Sequence, residues 1–275
     1  MIIGIDHLAL TALDLDRATA CLQNCGYKLH FLDRRVQNPE TKRLFLNSWS
    51  PTLACAFLIP IGPFIPVEVL VEGSVLHDPV ATYRSLWTGR PKSAVDAEPG
   101  TEDGTSRLYC GDDAARFRIP ALDIEGVYDR ACISTAGMDH GIKALAFEVP
   151  HLEPAMRLWQ KGLGFSLTSQ DRGGVRHAAG SFSSPFQKGR CDIHIIENPA
   201  SSSGSSLDCR GFPCLAFTST SVDRDMERLR LLGAREFSDV FELVMNGSCL
   251  RIVFFRGTGG EILELVEPLK QGGGS

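Results

Sequence analysis

The stretch Gly4-Ile5-Asp6-His7-Leu8-Ala9-Leu10-Thr11-Ala12-Leu13-Asp14-Leu15-Asp16-Arg17-Ala18 decides the reading of this chain, because weaker copies of it return further on. A repeated unit constrains a fold more than any single local signal does. Apolar residues at strand spacing come first, an acidic turn follows, and a helical pattern then runs through Ala18, Cys21, Leu22 and Cys25 to Gly26. The order is strand, turn, helix, glycine stop.

The second copy starts at Ile142-Lys143-Ala144-Leu145-Ala146-Phe147 and reaches Gly162-Leu163-Gly164-Phe165 through Leu158 and Trp159. The third starts at Phe212-Pro213-Cys214-Leu215-Ala216-Phe217 and reaches Leu232-Gly233 through Val222 and Met226. Each copy closes, after further strand-like runs, on an apolar stretch carrying acids: Val67-Glu68-Val69-Leu70-Val71-Glu72, Asp192-Ile193-His194-Ile195-Ile196-Glu197 and Glu261-Ile262-Leu263-Glu264-Leu265-Val266-Glu267. One strand, one helix and about three further strands make a βαβββ module, so an α+β fold of repeated modules is expected.

The His7-x-Ala9-Leu10 strand, the Asp14-Leu15-Asp16-x-Ala18 helix entry, the Gly26-Tyr27 and Gly164-Phe165 helix exits and the Glu264-Leu265-Val266-Glu267 ending together resemble the vicinal oxygen chelate superfamily. That group contains glyoxalase I, bleomycin-resistance proteins, fosfomycin-resistance enzymes and type I extradiol dioxygenases. The resemblance implies open barrels built from paired modules, with three legible modules here. It is weakest between Gly73 and Gly137, which reads either as a fourth, eroded module or as an insertion.

Composition narrows the function. A chain of 275 residues with 43% hydrophobic and 22% charged residues has the makeup of a folded globular protein. The formal charge of -5 and the absence of a Lys/Arg run argue against a nucleic-acid partner. No apolar run approaches the roughly twenty residues of a membrane helix. Nine cysteines without a CxxC pair read as buried thiols. With no export signal legible at the start, a reducing cytoplasm is the expected location.

The expected domains are 1–137, an N-terminal module with its divergent region; 138–268, a C-terminal pair of modules joined by the Ser-rich connector 199–206; and 269–275, a flexible tail. Further strands are expected at 27–32, 44–46 and 53–59, a helix at 79–87, and short strands at 107–110 and 117–119. Because module one has no legible partner within the chain, a homodimer is expected.

In the family, ligands come from the third position of a module's first strand and from an acid early in its last strand. Those positions fall on His7 and Glu68, on Ala144 and His194, and on Cys214 and Glu264. The resemblance thus implies a divalent metal, Fe, Mn, Zn or Ni, held by His7, His194 and Glu264, with Glu68 as the catalytic base or alternative third ligand. Independently, Glu264 alternates with Ile262 and Val266, and a carboxylate on an apolar face needs a partner. Cys214 reads as packing, and His151 and His177 as loop residues. Phe147, Trp159, Phe217 and Phe254 are the candidate cavity aromatics. The function implied is a glyoxalase- or dioxygenase-like enzyme acting on a small molecule with vicinal oxygens; the alternative is a metal-free sequestering protein of the bleomycin-resistance type.

Overall fold

The computed structural model describes residues 1–72, 83–87, 95–96, 114–119, 124–129, 141–172, 174–186, 191–201 and 206–269. Module one begins with β1 (Ile2–Thr11), in which Leu8 and Leu10 are fully buried on one face and His7 and Ala9 occupy the other. Helix α1 (Leu15–Asn24) follows; Asp14 caps it by accepting the Arg17 backbone N–H at 3.0 Å, and Leu15, Ala18, Cys21 and Leu22 form its buried face. Gly26 ends it at φ 94°, a conformation that disfavours any residue with a Cβ. Then come β2 (Tyr27–Gln37), a short 3-10 helix (Glu40–Phe45), β3 (Thr52–Pro60) and β4 (Val67–Glu72). The 3-10 helix stands where a strand was expected at 44–46. Pro39 precedes it, and one turn of local hydrogen bonding buries Lys42 and Phe45 together.

The inner half of the chain supplies β5 (Arg84–Trp87), β6 (Val95–Asp96), β7 (Ala114–Ile119) and β8 (Ile124–Asp129), then β9 (Ile142–Val149) and helix α2 (Leu152–Arg157), which runs into a π turn at Leu158–Gly162. Strands β10 (Ser166–Arg172), β11 (Val175–Phe182) and β12 (Cys191–Glu197) complete that half. Module three is β13 (Gly211–Ser219), α3 (Val222–Leu231), β14 (Phe241–Met245), β15 (Ser248–Arg256) and β16 (Ile262–Pro268).

Strands β5 to β8 repeat the pairing of module one: β5 lies parallel to β8, β8 antiparallel to β7, and β7 antiparallel to β6, as β1 lies parallel to β4 and β4 antiparallel to β3. Residues 73–137 therefore contain the strands of a fourth module. Residues 83–87 of the expected helix at 79–87 are extended, while 79–82 and the expected strand at 107–110 lie outside the described residues.

The modules pair in a nested order, which differs from the expected union of modules two and three. One eight-stranded sheet runs β14-β15-β16-β13-β1-β4-β3-β2, joining modules one and three through the antiparallel β1–β13 contact; the other runs β10-β11-β12-β9-β5-β8-β7-β6. Module one thus has its partner within the chain, which removes the reason given for a homodimer.

Two apolar clusters result. The larger fills the space between sheets and helices, with Trp159 against Phe147 at 5.0 Å and Phe217 at 6.2 Å between ring centroids. Those three aromatics, expected in a cavity, are core residues. The smaller cluster, Ala9, Leu53, Cys55, Leu70, Cys214 and Phe254 among it, lines the concave face of the first sheet. All seven described cysteines are free thiols.

Candidate active site

Strand alternation sets the site. On β1, β4, β13 and β16 the core takes Leu8, Val67, Val69, Leu215, Leu263 and Leu265, so His7, Glu68, Cys214 and Glu264 face the concave side. The register shows how the two modules correspond. His7 lies opposite Ala216 and Ala9 opposite Cys214, while Glu68 pairs with Ala9 and Glu264 with Ala216. A two-fold relation therefore matches Glu68 with Glu264, Ala9 with Ala216, and His7 with Cys214.

His7 Nε2 is 3.2 Å from a Glu68 oxygen and 3.6 Å from a Glu264 oxygen, and its Nδ1 is 2.9 Å from Asp6 Oδ1. All three of these side chains from β1, β4 and β16 are buried or nearly so. Although both carboxylates are within ion-pair range, Nε2 makes no hydrogen bond of normal geometry. It is a buried polar atom aimed between two acids.

Burial opposes a charge on His7, but the field of Glu68 and the contacts to Asp6 and Glu264 outweigh it and hold the imidazolium well above its ordinary range. The two acids separate. Burial also raises Glu68, yet His7 and Lys42 more than reverse that and keep it ionised below the usual carboxylate range. For Glu264 burial prevails over His7, Glu68 adds repulsion, and the carboxyl is pushed up. Opposed shifts in a neighbouring pair are the pattern that assigns acid and base roles.

Two further residues complete the interior. Cys55 Sγ lies 3.4 Å from Glu68 Oε1, and the ammonium of Lys42 is 3.0 Å from Glu72 Oε1. Neither was singled out from the sequence. A lysine in the polar run 38–43 carries no signal of burial, and Cys55 looks like any apolar strand residue.

The cavity has two parts. An outer cleft of about 200 Å³ opens where β2 and the β14–β15 turn approach each other, with His7, His30, Phe31, Phe57 and Asn246 around it. Phe31 and Phe57 stack at 5.7 Å and His7 meets the Phe57 ring edge-on at 5.6 Å. A smaller cavity of about 40 Å³, called the inner chamber below, adjoins it and is lined by Lys42, Cys55, Leu70 and Phe254. Glu68 and Glu264 border both.

His194 is not part of this arrangement. It lies on β12 in the second sheet, paired with Ala146 and Ala179, and burial lowers its pKa to about 4. Ala144 is on β9 of that sheet as well. His177, expected in a loop, is a buried residue of β11, while His151 is exposed ahead of α2. Cys214 is fully buried, and burial first, then Glu264 and Glu68, holds its thiol well above its ordinary pKa.

An imidazole between two carboxylates suits either a shared proton or a cation. Two donors bound to one ion at about 2.0–2.2 Å stand roughly 3–3.5 Å apart. Each separation from Nε2 is close to that, and the orphaned nitrogen fits the same use. Among the described residues, however, no group of three or more His, Cys, Asp or Glu is already gathered as a complete metal site.

Comparison with known proteins addresses the fold. No protein-family model matches the chain, and no curated protein sequence does. Among solved structures, glyoxalase I from Zea mays superposes with a TM-score of 0.64 at 18% identity, over 96% of this chain and 92% of that one. A putative dioxygenase from Bacillus subtilis superposes with a TM-score of 0.55 at 11% identity, over 98% of this chain and 86% of that one. The chain has the α+β open-barrel architecture of glyoxalase-like proteins. The likeness to these structures is one of fold.

Proposed function

We propose that this chain is a metal-dependent enzyme of the glyoxalase and dioxygenase type, acting on a small organic substrate with vicinal oxygens. The observation that carries the reading is the convergence of His7, Glu68 and Glu264, three buried donors from three strands, on one cavity face. His7 and Glu264 would hold the ion, and Glu68 stands beside them as the base or, where it binds the ion instead, as the third donor. When bound, a divalent ion supplies Lewis-acid polarisation of a substrate oxygen.

The protein's own groups divide the remaining work. Glu68, held ionised, is the better proton acceptor of the two acids. Asp6 contacts Nδ1 of His7 and accepts from Thr218, fixing the ring so that Nε2 faces the acids. Phe31 and Phe57 form an apolar wall that strengthens electrostatics inside the cleft. The seven cysteines among the described residues are all free thiols, which suits a reducing compartment, and we propose a cytoplasmic location.

The test is metal content after purification without chelator, followed by calorimetric titration of metal-free protein with Mn²⁺, Zn²⁺ and Ni²⁺. One ion per chain is expected, with His7→Ala losing it while the circular dichroism spectrum stays native. Wild-type protein that takes up none of the three ions refutes the metal reading and leaves a sequestering barrel in its place.

A further inference from the structure

Lys42 is a buried cation on the wall of this cavity that has no part in the proposed mechanism. Its side chain is 7% exposed and that of its partner Glu72 is 1% exposed, so both charges are out of water. A buried pair of this kind is not a gain in stability over apolar residues of the same size. The pairing is also lopsided. The one hydrogen bond found for the ammonium among the described residues goes to Glu72 Oε1, while Glu72 Oε2 is buried without a partner. An ammonium has three N–H donors, and this one lies 5.3 Å from the Phe254 ring centroid on the wall of the inner chamber that Glu68 and Glu264 border.

Chamber size limits what those donors meet. About 40 Å³ is room for roughly three waters, or for one carboxylate group. The adjoining cleft, about 200 Å³, takes the body of a small molecule. A ligand lying across both would pass the two acids and His7, and would end at Lys42.

We propose that Lys42 binds an anionic oxygen of the substrate, and that the substrate class is a 2-oxo or 2-hydroxy acid whose carboxylate enters the inner chamber. This rests on the reading of the site given above. The vicinal oxygens then belong to the carboxylate and to the neighbouring carbon. Lys42 contributes charge-assisted hydrogen bonds and offsets repulsion from Glu68 and Glu72. The 3-10 helix Glu40–Phe45 sets its position, with Phe45 buried against Phe254 at 6.0 Å between ring centroids.

The probes are pyruvate and butane-2,3-dione, which differ in replacing a carboxylate by an acetyl group. Both are titrated by calorimetry into Mn²⁺-loaded and metal-free protein. A bound ion itself favours the carboxylate, so the quantity read is the pyruvate-to-dione affinity ratio in each variant. Lys42→Met with Glu72→Gln removes the ammonium without leaving an unpaired acid; the ratio, read at saturating Mn²⁺ and again without it, should fall at least tenfold. Glu72→Gln alone, which keeps Lys42, should stay within about threefold of wild type. An unchanged ratio in the double variant, or no pyruvate binding to wild type, overturns the inference. Should the double variant not fold, Lys42→Gln with Glu72→Gln replaces it, and a pyruvate-to-dione ratio equal to wild type then overturns the inference. Failure of Mn²⁺ to bind wild type refutes the metal reading instead, and the metal-free titrations still decide the case of Lys42.

Discussion

His194 allows a stability prediction that also separates the two sheets. Its imidazole, on β12, is lowered to about 4 chiefly by burial, with His177 and Lys143 adding to that and Asp192 opposing it. In the unfolded chain the ordinary value near 6.5 applies. At pH 7 both states are neutral and nothing is gained or lost. As pH falls through 6.5 the unfolded chain takes up a proton that the folded chain refuses, so stability present at neutral pH is lost between about 6.5 and 4. Two and a half units of separation give about 3 kcal/mol in full, of which about 2.5 kcal/mol is gone by pH 4.5. The perturbation is His194→Asn, which cannot titrate. Urea unfolding at pH 7 and 4.5 should show wild type losing about 2.5 kcal/mol more than the variant does across that range. An equal loss in both proteins, or an NMR titration of His194 near 6.5, would refute the burial argument.

Two other perturbations address the framework. Gly26→Ala, at φ 94°, should cost about 1–2 kcal/mol in urea unfolding because it forces a Cβ into left-handed backbone; a change below 0.3 kcal/mol would mean that α1 ends differently. Trp159→Phe removes the 2.9 Å donor to Glu261, whose other oxygen is buried without a partner, and should cost about 1–3 kcal/mol with partial recovery by a further Glu261→Gln. No recovery in that double variant would assign the loss to packing of the smaller ring.

The module was legible because its signals are local: alternation in β1, the Asp14 cap, the Gly26 stop and the acid-bearing final strand are each set by neighbours in sequence. Which modules share a sheet was not. The first strands legible in the sequence, β1, β9 and β13, are each predominantly apolar, so β1 reads as able to pair with β13 or β9 alike, and nothing in either sequence ranks the two. In region 73–137 the strand expected at 117–119 is the end of β7, while the other described strands went unread because they are as short as Val95–Asp96 and carry few apolar pairs. His194 was placed with His7 by counting positions within a module, a count that holds for every module regardless of its sheet.

The candidate site depends on both kinds of information. A two-fold relation between modules one and three supplies two equivalent acids, Glu68 and Glu264, and in a symmetric cavity the two carboxylates would titrate alike. Two substitutions break that equivalence. His7 has Cys214 as its twin, so one imidazole serves both acids, and it stands nearer to Glu68 than to Glu264. Cys55 adds a thiol contact to Glu68 alone. Charge therefore collects on Glu68, and burial without equal compensation leaves Glu264 the more readily protonated. A repeat that was duplicated in sequence thus becomes chemically directional through residues that differ between its copies, and those residues are where variants should be aimed first.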